Sequence, residues 1–291
     1  MLELLESSPA TLTVCVALLG LCVGSFLNVV AYRLPRMIEQ EFRREAREFL
    51  RLPVRRERHP VSLSSPASTC PGCGTAIKPW HNLPVLGWLV LRGRCAACAA
   101  PISVQYPLVE LLTGILSVAC VWRFGFSPQL AAALVLTWAL VALTVTDLHT
   151  MYLPDSITLP LLWLGLVLSV VPVFADARSA IVGAAIGYGL LWAIYWVFKL
   201  ATGKEGMGYG DFKLMGALGA WFGWQTLPQI LLLSAVVGAA VGITLMSVRK
   251  AEWSSRIPFG PYIAGAGWIA LIWGDEINRS YLGMASLGPA G

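Results

Sequence analysis

The chain has 291 residues, 57% hydrophobic and 13% charged, with a mean hydropathy of +0.69. A soluble domain carries roughly a quarter charged residues, so this composition excludes an ordinary water-soluble fold. The formal net charge of +5 reflects membrane topology and contact with anionic lipid, and nucleic acid is not an expected partner.

Apolar runs fall near residues 11–32, 107–122, 128–146, 157–174, 180–200, 212–225, 228–248 and 258–273. Several approach or exceed the ~20 residues a helix needs to cross a bilayer. They predict an all-α polytopic membrane protein with about eight transmembrane helices. The first run, Thr11 to Tyr32, is long enough for a signal peptide. Glu3 and Glu6 precede it where a basic region belongs, and no A-x-A cleavage site follows, so it is read as a retained span. Eight spans put both termini on one side. Eighteen of the 21 Lys and Arg residues then fall in segments 33–106, 199–213 and 249–256, while Arg123, Arg178 and Arg279 alone face the other side. That bias predicts that the three basic segments face the cytoplasm and both termini lie opposite. The domains expected are a first span (1–32), a cytoplasmic insert (33–106) and a transmembrane core (107–291).

The insert begins with "MIEQEFRREAREFLRLPVRRER", where Ile38, Phe42, Phe49 and Leu50 recur among charges at helical spacing. This reads as a basic amphipathic helix on the membrane surface, or equally as a solvated connecting helix. "CPGCG" and "CAACA" follow, placing Cys70, Cys73, Cys95 and Cys98 in a C-x2-C-x21-C-x2-C pattern. Two close thiolate pairs supply the tetrahedral sulfur cage that zinc favours. A cytoplasmic loop lies in a reducing compartment, which disfavours disulfides. An iron–sulfur centre would use the same ligands. Zinc is the expected metal, with a structural role, because a small insert has little core of its own. His59 and His81 are read as surface residues, and Cys15, Cys22 and Cys120 as packing residues.

Asp147 ends the third span and Asp155 follows eight residues later in "LPDS", where it reads as a cap on the next helix. The stretch "GMGYGDFKL" (206–214) then sets Gly206, Gly208 and Gly210 before Asp211. The sixth span that Asp211 opens is short and contains Gly216, Gly219 and Gly223. Small-residue pairs Gly20/Gly24, Gly183/Gly187, Gly219/Gly223 and Gly238/Gly242 predict tight helix packing. Glycine before Asp211 admits an extended chain beside the carboxylate. Two aspartates sharing one proton can activate a water, one as base and one as acid. Asp147 and Asp211, each at a cytoplasmic helix end, are the pair placed to do so.

"GYGDFKL" resembles the GxGD motif of the intramembrane aspartic peptidases. "GSFLNVVAYRLP" (24–35), the paired CxxC motifs, "RGRC" (92–95), "YPLVELLTG" (106–114) and "TDLHTMYLPDSITLP" (146–160) resemble the bifunctional type IV prepilin peptidases, in order from about residue 20 to 274. The resemblance implies catalytic roles for Asp147 and Asp211 and zinc binding by the four cysteines. It implies cleavage of a basic leader from type IV prepilins and type II secretion pseudopilins at the bacterial inner membrane. It further implies N-methylation of the new terminus with S-adenosylmethionine as donor. Gly208 and Gly210 would then support the active-site loop, with an open strand there pairing with the unwound substrate. Methyl transfer is less visible, because no glycine-rich nucleotide loop follows a strand. Gly24, Asn28, Gly93 and Glu110 are its candidates, and for Asn28 and Glu110 simple hydrogen bonding between helices is an equal reading. Two rivals from other classes remain. One is a proton- or cation-coupled transporter using the same aspartates, and the other a membrane scaffold whose zinc module docks an assembly protein.

Overall fold

The structure, a computed structural model, describes residues 6–53, 61–249 and 258–286. His59, Lys250 and Arg256 lie outside the described residues. The described chain is helical, with two isolated β-bridges and no strand. It divides into two compact units, Met1–Phe126 and Ser127–Gly291.

The first unit opens with α1, Pro9–Phe49. Ser8 caps it by accepting the Thr11 N–H at 3.3 Å, and Pro9 occupies the first turn, where its missing N–H does no harm. Sequence reading placed the span at 11–32 with a separate amphipathic helix after it, whereas α1 runs unbroken through Pro35 for 41 residues. Proline forfeits one backbone hydrogen bond. The Arg36 guanidinium lies 3.6 Å from the Tyr32 ring centroid, tying together the turns on either side, and the Glu- and Arg-rich sequence beyond favours helix. A short α2 (Leu86–Val90) lies in the insert, and α3 (Gln105–Phe124) returns along α1. The two pack through small residues: a Cβ at Gly20 would stand 2.7 Å from Ser117 Oγ, and one at Gly24 2.7 Å from Glu110 Cα.

The second unit comprises α4 (Pro128–Thr150), α5 (Asp155–Leu168), α6 (Ala177–Thr202), α7 (Tyr209–Phe222), α8 (Leu227–Arg249) and α9 (Gly260–Ser286). Its central element is the 14-residue α7, where Phe212, Leu214, Ala217, Leu218 and Ala220 are fully buried. Gly183 of α6 meets the Gly219 carbonyl of α7, and a Cβ at Gly187 would lie 2.6 Å from the Met215 carbonyl oxygen. This is the close approach that small-residue spacing implies. Trp221 donates its indole N–H to the Leu161 carbonyl at 2.8 Å, fixing α5 against α7.

Eight helices, α1 and α3 to α9, correspond one by one to the eight apolar runs. Among the described residues, five helices are long and apolar enough to span a membrane by length and composition. Helices α5 and α7 have only 14 residues each. Pro154 fixes where α5 starts, and α7 is bounded by Gly208 and by Gly223, whose φ of +79° ends the helix. Large apolar side chains such as Leu18, Ile115, Trp122, Trp163, Val170, Ile181 and Leu232 stand exposed around the helices. So much exposed apolar surface suits lipid, not water.

Candidate active site

Helix α4 carries Asp147 in its last turn. Met151 then adopts a left-handed conformation (φ 52°, ψ 35°) and donates its N–H to the Asp147 carbonyl, which closes the helix. The chain turns back through the buried Leu153 into α5. Helix α7 carries Asp211 in its first turn. Gly208 is its N-cap, and Asp211, three residues on, accepts the Gly208 N–H at 3.2 Å through Oδ2. A carboxylate there also faces the positive end of the helix dipole. Both aspartates are buried, with 4% of Asp147 and 7% of Asp211 exposed. Both stand beside Leu153, which Gly210, next to Asp211, and Gly260, against the Asp147 carboxylate, each approach closely.

Two glycines make this approach possible. A Cβ at Gly210 would stand 2.7 Å from Leu153 Cβ, so α7 reaches the α4–α5 turn only without a side chain there. Gly260, the first residue of α9, donates its N–H to Asp147 Oδ2 at 3.0 Å, and a Cβ there would sit 2.7 Å from the same oxygen. Sequence reading missed Gly260 altogether. Its one signal is its place in "PFGPY", at the head of the last apolar run.

The open strand expected before Asp211 is shorter than anticipated. Helix α7 begins at Tyr209, so Gly210 lies in its first turn, and Gly206 packs against the Phe198 ring. The Asp211–Gly208 hydrogen bond supplies the physical reason, because it starts the helix at the glycines. Asp155 also departs from its expected part as a cap. It is the first residue of α5 and makes no capping bond. Its two oxygens instead lie 2.6 and 2.7 Å from Lys213 Nζ, two residues beyond Asp211 on α7.

In the insert, two turns of like construction present the cysteines. Cys70 N–H donates to the Thr75 carbonyl at 2.9 Å, and Cys95 N–H to the Ala100 carbonyl at 2.8 Å. Gly74 and Ala99 stand at positive φ in equivalent places. The four Sγ atoms lie within 4.8 Å of one another, with Cys70–Cys98 at 3.8 Å and Cys73–Cys95 at 4.0 Å. A tetrahedral site with Zn–S of ~2.3 Å sets sulfurs about 3.8 Å apart, so the cluster fits zinc. The Thr75 hydroxyl and backbone hold the Cys73 thiol down to about 6. The backbone N–H groups of Cys98 and Ala97 lower Cys95. The Ala100 N–H also favours a Cys98 thiolate, yet the facing Cys73 sulfur and burial push that thiol up to about 11. Crowded sulfurs thus resist a full set of negative charges by themselves, and a dication would remove that repulsion. His81 stands outside the cluster, edge-on to Trp80. Arg33 ties the insert to α1 by donating to the Ser62 carbonyl at 3.0 Å and the Pro66 carbonyl at 2.7 Å.

The other four candidates divide. Gly24, Asn28 and Glu110 meet where α1 packs on α3. Gly93 has different neighbours: its φ is +68°, a Cβ there would lie 2.8 Å from the Trp88 ring, and its carbonyl accepts the Ile102 N–H at 2.7 Å.

Comparison with known proteins identifies relatives of both halves of the chain. Residues 18–124 match the bacterial peptidase A24 N-terminal domain, and residues 134–243 match the type IV leader peptidase family. The prepilin leader peptidase/N-methyltransferase of Stutzerimonas stutzeri is 53% identical over 98% of this chain and 99% of its own length. The proteins of that name from Pseudomonas aeruginosa (51%, over 98% of each chain) and Pseudomonas putida (54%, over 95% of this chain and 96% of its own) are similar throughout. No solved structure matches. With both halves matched and these relatives aligned over nearly its full length, the chain belongs to the type IV leader peptidase family.

Proposed function

We propose that this protein cleaves the leader peptide of type IV prepilins and type II secretion pseudopilins and then N-methylates the newly exposed terminal residue. The observation that carries the proteolytic half is the pair of buried carboxylates, Asp147 and Asp211, on separate helices, each steadied by one backbone N–H. In this reading a water lies between them. One carboxylate takes its proton as the oxygen attacks the scissile carbonyl carbon. The other gives a proton to the departing amine nitrogen. Gly208 and Gly210 let α7 start where Asp211 can face Asp147.

The four-cysteine cluster would hold a structural zinc, fastening the two turns of residues 33–106 to each other. S-adenosylmethionine supplies the methyl group when bound, and Gly24, Asn28, Gly93 and Glu110 are the residues assigned to that second reaction. The cysteine insert and the aspartates would face the cytoplasm, with both termini opposite, in a bacterial inner membrane. The spread of Lys and Arg supports that orientation. Prepilins and pseudopilins are the substrates, and lipid surrounds the apolar helices. The transport reading gains no support from the relatives named above.

The test is incubation of the purified protein in detergent with a prepilin and the methyl donor. A product shortened by the leader and heavier by one CH₂ is expected. Intact prepilin would overturn the proposal.

A further inference from the structure

Where α1 meets α3, a buried amide oxygen lacks a donor and a buried carboxylate lacks a cationic partner. Asn28 is 5% exposed and Glu110 7%. Asn28 Nδ2 donates to the Gly24 carbonyl at 3.3 Å and the Tyr106 carbonyl at 3.2 Å. Both partners can only accept, so the orientation of the amide is fixed. Its Oδ1 is therefore turned away from them, buried and without a hydrogen-bond partner among the described residues. Glu110 belongs to the same place. It lies one helical turn beyond Tyr106 and packs directly on Gly24.

Glu110 accepts the Val85 N–H at 2.7 Å. That donor is neutral, and among the described residues no Lys, Arg or His forms an ion pair with Glu110. Val85 has a φ of +60°, an unfavourable angle for a β-branched residue. The backbone holds it there with its N–H on the carboxylate. An uncompensated carboxylate and an unpaired carbonyl oxygen are each costly between apolar helices. Retaining both in one place is explained by a ligand that satisfies both.

A primary ammonium has the matching chemistry, with three N–H donors and one positive charge. A neutral donor would leave the carboxylate unbalanced, and a sulfonium has no N–H to offer Asn28. We propose that Glu110 and Asn28 form a buried receptor for a primary ammonium used in the methyl-transfer reaction. This rests on the bifunctional reading given above. Two sources share the chemistry: the new N-terminus of the processed pilin, and the α-ammonium of the methyl donor.

Wild-type protein in detergent is titrated with a mature-pilin N-terminal peptide and its des-amino analogue, and with S-adenosylhomocysteine and its des-amino analogue. In one pair, deletion of the amine is expected to weaken binding about tenfold or more, as a hydrogen bond to a charged group implies. Glu110→Gln is expected to abolish that difference, with zinc content and melting temperature unchanged. Loss in the peptide pair assigns the site to the pilin terminus, and loss in the homocysteine pair to the donor. If Glu110→Gln does not fold, Asn28→Ala is read in the same way. Equal binding within both pairs, or a difference that survives in the variant, overturns the proposal. Wild-type protein that neither cleaves nor methylates prepilin would instead overturn the bifunctional reading beneath it.

Discussion

Replacing Gly260 by alanine puts a methyl carbon 2.7 Å from Asp147 Oδ2 and 3.1 Å from Leu153 Cδ2. At a helix start the substitution would otherwise stabilise by roughly 0.5–1 kcal/mol, through lost freedom of the unfolded chain. Two larger effects oppose it. Overpacking costs about 1–3 kcal/mol, and the hydrogen bond from Gly260 N–H to the Asp147 carboxylate is worth about 1.5–3 kcal/mol if that group is charged. The steric effect therefore wins, and it falls on a reacting group. Even about 1.4 kcal/mol of misplacement is tenfold in rate, so Gly260→Ala should slow leader cleavage by about tenfold to a hundredfold. Gly265, on the same helix, has nothing within 4 Å of its would-be Cβ, and Gly265→Ala is the matched control. The assay is the initial rate of prepilin shortening by purified enzyme. Wild-type cleavage by Gly260→Ala, or equal loss in Gly265→Ala, would refute the idea that close approach to Asp147 is what demands glycine.

Purified protein should carry about one zinc per chain, as a single four-thiolate site implies. Any one of Cys70, Cys73, Cys95 or Cys98 changed to serine should lower that content by elemental analysis and expose residues 61–106 to proteolysis. Asp155→Asn and Lys213→Met each break a partly exposed ion pair. Stability should fall by no more than about 1 kcal/mol, while cleavage drops several-fold because Lys213 shares α7 with Asp211. A fully active Lys213→Met would show that the pair does not position the helix. Asp211→Asn should still methylate a peptide that already begins with the mature residue, since activating water and transferring a methyl group share no chemical group. Mass spectrometry of that peptide checks it.

Much of the candidate site was legible because its residue types are costly where they stand. A carboxylate beside apolar runs, glycines before a helix and paired thiols each signal a purpose in the sequence itself, and the four thiols stand within 4.8 Å of one another in the folded chain. What escaped is the contribution of plain backbone. Gly260 acts through its N–H and its lack of a side chain, and it lies 113 residues from the aspartate it touches. Composition carries no trace of such a contact. Asp155 was read as a helix cap because local rules favour it, but a lysine 58 residues away competes and wins. The run of α1 through Pro35 escaped for a similar reason, since a stacked Arg36 and good helix formers outweigh one lost hydrogen bond.

The central claim is that Asp147 and Asp211 act as one unit in cleaving the leader. It is tested most directly by the mass of a prepilin incubated with wild type, Asp147→Asn or Asp211→Asn. All three proteins should be inserted and matched in zinc content. The wild type should yield only the shortened chain, and each variant should return the prepilin intact, because neither carboxylate can serve as both base and acid in the same step. A shortened product from either single variant would contradict the account.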